Sequence, residues 1–209
     1  MAVIGGNINR LTGRPRLPVF SYGVTLSPFL GAVESMDFAG TRNGGVPYYS
    51  LNGTQVADAA AVGFVGNGTF NSAGYTAVGT QLISKSVALT GDFMIFCQFV
   101  QPPIGALREL WLHNGGAQVF RASGGTYSSS PAGGSPASAT RVTIARSGGV
   151  SKVSFDNGAV VTGGAFTPGT DTLYIGNEPG GTAPWTVAIE NWTRFNGTFS
   201  DAQIQALGT

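Results

Sequence analysis

The sequence predicts an all-β protein, an antiparallel two-sheet sandwich closed by one short C-terminal helical turn. Three observations carry this reading. Apolar and polar residues alternate with the two-residue period of a strand in segment after segment. Turn residues separate those segments, with Gly at 33 of 209 positions. A complete set of helix start signals closes the chain.

The elements follow in order. Phe93-Met-Ile-Phe-Cys-Gln-Phe-Val100 is a nearly continuous apolar run, which predicts a central strand covered on both faces. Glu109-Leu-Trp-Leu-His113 and Ala117-Gln-Val-Phe-Arg121 flank Asn114-Gly115-Gly116, a hairpin signal. Ser123 to Ala139 is rich in Ser, Gly and Pro and reads as a flexible loop. Val142 and Ile144 alternate with Arg141 and Thr143. Val153 and Phe155 alternate with Lys152, Ser154 and Asp156 before a turn at Asn157-Gly158, and Leu173 and Ile175 alternate with Thr172 and Tyr174. A last strand runs to Phe195 and turns through Asn196-Gly197. The helix then opens with Ser200 as N-cap, and Gln203 three residues on completes a capping box. Phe199 and Ile204 have hydrophobic-staple spacing, and Gly208 is the stop.

Composition excludes several classes of function. The net charge is +1 and only 10% of residues are charged, so nothing electrostatic favours nucleic acid or an anionic membrane as partner. Cys97 is the only cysteine, which excludes an intrachain disulfide and a thiolate metal cluster. It lies in the most apolar run and reads as a small buried hydrophobe. No stretch approaches the roughly 20 apolar residues that span a bilayer. Met1-Ala-Val-Ile-Gly-Gly-Asn lacks a basic start followed by a long apolar run, so no signal peptide is expected.

Residues 1–30 differ from the domain expected over 31–209. Arg10, Arg14 and Arg16 occur with no acid before Glu34, and Pro15, Pro18 and Pro28 favour extended backbone. One reading is a solvated tail. The other is an extended arm that docks on another subunit. Leu17, Val19, Phe20, Tyr22 and Phe29 would be its apolar anchors, and the arginines would pair with carboxylates.

Four pieces from about Asp37 to Leu207 carry a resemblance. Val62-Gly-Phe64-Val-Gly66-Asn-Gly68-Thr-Phe70 looks like an early strand and turn, and Leu89-Thr-Gly-Asp92-Phe93-Met-Ile95 like the entry to a central strand. Ile144-Ala-Arg146-Ser-Gly-Gly149 with Val153-Ser-Phe155-Asp156-Asn-Gly158 looks like paired strands. Leu173-Tyr-Ile175-Gly176, followed by the gapless segment Ile189 to Leu207, looks like the closing strand and helix. In this order they resemble the laminin-G-like, concanavalin A-like lectin-glucanase jelly-roll family, which occurs in many bacterial and phage proteins. The resemblance implies a concanavalin A-like jelly roll. The chain departs from the pattern at Gln98 and Ala139, near slots for strand tryptophans, and at Arg194, in a usually apolar place.

Catalytic chemistry finds little support. Glycoside hydrolysis needs two carboxyl groups across a cleft, and the Glu-x-Asp-x-x-Glu spacing of related glucanases is absent. Glu34 and Asp37, three apart, point to opposite faces of a strand; Glu109 and Glu190 stand alone, and surface solvation accounts for these acids. His113 has no local acid or nucleophile and reads as an exposed strand-end histidine. The acids lack the clustering that calcium requires, and a turn explains Asp156-Asn157. No catalytic residue, metal or cofactor is therefore expected. Tyr48, Tyr49, Trp111 and Trp185 are the candidate sugar-stacking aromatics, with coverage of the sandwich ends as the competing account.

Two functions follow as expectations. The resemblance and the arm imply a non-enzymatic bacteriophage virion structural protein, a capsid decoration or tail component. It would be assembled in the host cytoplasm and held in a homo-oligomer among other virion proteins. The alternative is a carbohydrate-binding module for adsorption to bacterial surface glycans. Neither nucleic acid nor membrane is an expected partner.

Overall fold

The alternating segments become strands, paired antiparallel throughout. The computed structural model describes residues 31–207, apart from 42, 114–117, 122–123, 131, 134–135, 166 and 168. The expectations for Arg10, Arg14, Arg16, Leu17, Phe20 and Tyr22, the Asn114-Gly116 turn and the Gly208 stop lie outside the described residues. The first strands are β1 (Glu34–Asp37), β2 (Tyr48–Leu51), β3 (Thr54–Val56), β4 (Val65–Gly66), β5 (Thr69–Asn71) and β6 (Gly74–Thr76). Next come β7 (Ile83–Ala88), β8 (Phe93–Phe99), β9 (Arg108–His113), β10 (Gln118–Arg121) and β11 (Tyr127–Ser130). The last are β12 (Arg141–Ser147), β13 (Val150–Phe155), β14 (Val161–Ala165), β15 (Thr170–Ile175) and β16 (Ile189–Asn196), followed by helix α1 (Asp201–Ala206).

Two sheets result. The long sheet runs β14-β13-β12-β8-β16-β1-β2-β3, with β6 also on β16 and β5 on β6; the short sheet runs β11-β10-β9-β15-β7-β4. Their inner faces form one core. Met36, Ile95, Phe99, Ile144 and Trp192 come from the long sheet, and Ile83, Val87, Trp111, Leu173 and Ile175 from the short sheet. Each such side chain contributes about 1.5–3 kcal/mol by leaving water. The architecture is the predicted antiparallel sandwich with one short C-terminal helix.

β8 shows why its run is almost wholly apolar. Phe93, Ile95, Cys97 and Phe99 point into the core, while Met94 and Phe96 point outward into a second cluster with Phe195, Phe199, Ile204 and Leu207. The helix that supplies this outer cover is fixed as its sequence predicts. Ser200 Oγ accepts from the Gln203 amide at 3.3 Å, and the Gln203 side chain accepts from the Ser200 amide at 2.8 Å. Lys152 Nζ of β13 reaches Asp201 at 2.5 Å.

Loops are tied by side chains whose roles are structural. The Asp92 carboxylate accepts from the Gly148 amide (2.8 Å), the Thr198 hydroxyl (2.7 Å) and Arg146 (2.5 Å). Burial alone would raise its pKa, but these three partners and the Gly149 amide hold it below the ordinary carboxylate value. Asp156 and Asn157 form the expected turn, with φ of 46° and 61°, and Asp156 caps the Thr140 and Arg141 amides at 2.9 Å.

One expectation fails. Ser123 to Ala139 is no simple loop, because β11 lies inside it and pairs with β10. Tyr127 and Ser129 point into the sandwich and are buried. The strand partner and the pocket for Tyr127 override the weak strand preference of a serine-rich run.

Candidate functional site

The acids are less solvated than their sequence context suggests. Glu34 sits on the inner face of β1 with 4% exposure, held by Lys85 of the short sheet and by Arg194 Nε at 3.2 Å. Lys85 also donates to the Val62 carbonyl at 2.7 Å. Asp37 points outward and is also buried, accepting from the Thr41 amide and hydroxyl at 3.0 Å each. Surface solvation is thus corrected for Glu34, Asp37 and Glu109. Their partners arrive from elements distant in sequence.

Glu109 is the most perturbed of these acids. It is 6% exposed, and burial, followed by the charge of Glu178, pushes its carboxyl up to about 8. It therefore carries a proton at neutral pH. Glu178 is engaged by the Thr182 hydroxyl. Glu190 is half-buried, and burial raises its carboxyl as well. Arg121, 1% exposed, lies over the Tyr127 ring at 5.0 Å and donates to its hydroxyl at 3.2 Å. Among the described residues no three His, Cys, Asp or Glu gather as a metal site, and no helix is long and apolar enough to cross a membrane.

Three of the four aromatic candidates are core residues. Trp111 is 1% exposed, Trp185 0% and Tyr49 8%, so none offers a ring face to a sugar. Trp185 follows a Gly-Gly turn, yet its loop folds inward. The Trp185 amide donates to the Gly176 carbonyl at 2.7 Å, and the Asn177 side chain donates to Gly79 and Gln81 carbonyls at 2.8 and 3.1 Å. The indole lands edge-on against Phe99, with ring centroids 5.1 Å apart. Trp111 points inward because Ile175, its register partner, does. Tyr48 alone remains half-buried, on the outer side of the long sheet opposite Asp37. His113 ends β9, opposite Leu173; its side chain lies outside the described features.

Phe70 of β5 is 42% exposed, and a further partly exposed aromatic, Tyr174, lies on the short sheet. On β15, Leu173 and Ile175 fill the core, so Thr172 and Tyr174 point to the outside of the short sheet. Tyr174 stands opposite Ser84 of β7, Thr172 opposite Ser86, and Ser84 in turn opposite Val65 of β4. Such cross-strand neighbours lie about 5 Å apart. Val65 and Ser86 are exposed, and Ser84, Thr172 and Tyr174 partly so. The result is a partly exposed tyrosine with Ser84 as its register neighbour on β7 and Leu112 on β9, and with no charged side chain among these residues. A tyrosine offers an apolar ring and a polar tip, and each hydroxyl can donate and accept. That chemistry suits a ligand rich in neutral hydroxyls. The alternation Thr172-Leu173-Tyr174-Ile175 marks Tyr174 as outward in the sequence, but its exposure depends on nothing packing over β15.

No family model matches this chain, and no curated protein does. Solved structures do match. Trypanosoma rangeli sialidase in complex with sialic acid superposes with a TM-score of 0.61 at 14% identity, over 91% of this chain and 35% of that one. The likeness is one of fold. A second structure of Trypanosoma rangeli sialidase gives 0.60 at 15% identity, over 91% of this chain and 34% of that one. This chain therefore spans about a third of the sialidase's length. Ruminococcus gnavus IT-sialidase CBM40 bound to alpha2,3 sialyllactose gives 0.44 at 15% identity, over 60% of this chain and 93% of that one.

Proposed function

We propose that this chain is a non-catalytic carbohydrate-binding module that takes neutral glycans on the open face of the short sheet. The observation that carries the reading is the partly exposed Tyr174 on the outer face of β15, near Ser84, Ser86 and Thr172. A sandwich shared with a sialidase solved with sialic acid supports a glycan as the ligand class. The face itself argues for neutral sugars over sialic acids, because a carboxylate calls for a cation beside the ring. One ring and a few hydroxyls give a weak site, on the order of 1 mM or about −4 kcal/mol. Display in many copies raises effective affinity without new contacts. A phage particle, the setting the family resemblance implies, would provide such display.

The same reading assigns no turnover. Glu109 and Glu178 interact as two carboxyl groups, but Glu109 is buried at 6% exposure rather than open to a cleft. Titration of the chain with neutral oligosaccharides and with sialyllactose tests the proposal. Binding of a neutral glycan with no release of reducing sugar supports it; binding of sialyllactose alone, or cleavage, contradicts it.

A further inference from the structure

Tyr174 has an apolar companion on the outer face of the short sheet. Register places Val65 of β4, Ser84 of β7 and Tyr174 of β15 in one row across three strands. Ser84 stands opposite both of the others, so the three side chains share a face. Parity puts that face outside, because their chain neighbours Phe64, Ile83 and Ile175 are core residues, 2, 3 and 0% exposed. Val65 is 68% exposed, as open as any large apolar residue among those described. It is nevertheless held firmly. On one side Phe64 stands edge-on to Trp192, with ring centroids 5.7 Å apart, and its amide donates to the Ala59 carbonyl at 3.0 Å. On the other side Gly66, with φ of 127°, lies so close to β7 that a Cβ there would stand 2.2 Å from the Leu82 carbonyl oxygen. The Asn67 amide donates to that same carbonyl at 3.0 Å. Val65 is thus a fixed apolar projection, stiff about its own χ1 as well.

We propose that the glycan lies across the strands, one sugar ring on Tyr174 and the next on Val65, so that the site is matched to a linked pair of rings. The proposal rests on the reading of this face as a glycan site. Spacing favours it. Adjacent strands lie about 4.8 Å apart, so Tyr174 and Val65, two strands from each other, are separated by about 10 Å. A disaccharide bridges that span. Chemistry runs the same way. A sugar ring has an apolar C–H face and a rim of hydroxyls; Tyr174 and Val65 each meet a C–H face, and the Ser84 hydroxyl between them can donate and accept. Along the strands the surface is different. The next outward residues are Thr172 and Ser86, which are short and polar. In the other direction β15 gives way to Gly176, which is buried and turns the chain with φ of 86°. β4 is the last strand of the short sheet, so a longer glycan runs on past Val65 without meeting another strand of that sheet. The site therefore selects by length and accepts the interior of a chain as well as its end.

NMR titration of the full chain with glucose, galactose and N-acetylglucosamine, each as the free sugar and as its linked disaccharide, tests the inference. The disaccharide that binds best should bind ~10-fold tighter than its own monosaccharide, the worth of covering a valine. Val65→Thr keeps the β-branched shape and the strand preference but exchanges a methyl group for a hydroxyl. It should weaken the disaccharide ~4-fold, the share of one methyl group, with the monosaccharide affinity and the denaturation midpoint unchanged. Tyr174→Ala should weaken both sugars. Equal affinity for one ring and for two overturns the inference. So does a disaccharide loss at Ser86→Ala larger than that at Val65→Thr, which turns the glycan along the strands. Loss at Tyr174→Ala with none at Val65→Thr also overturns it, yet leaves the glycan site standing. Binding that survives both substitutions, or no binding by any of these sugars, overturns the site on which it rests.

Discussion

Glu34 and Arg194 meet inside the sandwich across the β1–β16 pair, 3.2 Å apart, with Lys85 of the opposite sheet on the other carboxylate oxygen. A single carboxylate thus joins the two sheets and satisfies two cations that are only 14% and 13% exposed. Lys85 also lies 5.6 Å from the Phe64 ring centroid, and Phe64 stands edge-on to Trp192.

Removal of that carboxylate strands two buried cations. Glu34→Ala should lower unfolding stability by about 3–5 kcal/mol, the range for breaking a buried pair from one side. Urea denaturation measures it. Replacing Glu34, Lys85 and Arg194 together by apolar residues of similar volume should recover most of the loss.

Trp185→Ala should cost about 3–5 kcal/mol through the cavity it opens, visible as a lower denaturation midpoint. Glycan affinity of the folded variant should be unchanged, since the ring faces the core. A selective loss of binding would return Trp185 to the ligand site.

Glu109 sets a pH dependence. Its ordinary value is 4.5 and its folded value about 8. The folded state holds a proton that the unfolded chain releases, so stability falls as pH rises from 4.5 through about 8 and then levels. Glu109→Gln should flatten that slope, with a higher denaturation midpoint than the parent at pH 8 and little difference at pH 4.

Ser200→Ala removes one half of the capping box and should cost about 1 kcal/mol. A lower thermal midpoint, accompanied by weaker packing of Phe199 and Ile204 over Met94, is the expected result.

What the sequence reveals follows the range of the interactions. The Ser200–Gln203 box, the Phe199–Ile204 staple and the two-sided cover of β8 rest on neighbours in the chain or on residue type, and all appear as expected. Arg194 looks out of place because its partner lies 160 positions away. Trp185 looks exposed because Asn177, which folds its loop inward, acts through carbonyls of a different turn. Tyr174 shows the converse. Its outward direction is written in the alternation of β15, but the openness of that face belongs to the whole molecule.

The proposed glycan site lies on the short sheet, at Tyr174. Calorimetric titration of the parent, Tyr174→Ala and Trp185→Phe with the neutral oligosaccharide that binds best tests it most directly. The predicted result is at least a ~10-fold loss for Tyr174→Ala, about 1.4 kcal/mol, with an unchanged denaturation midpoint and full binding in Trp185→Phe. Undiminished binding by a folded Tyr174→Ala variant would contradict it.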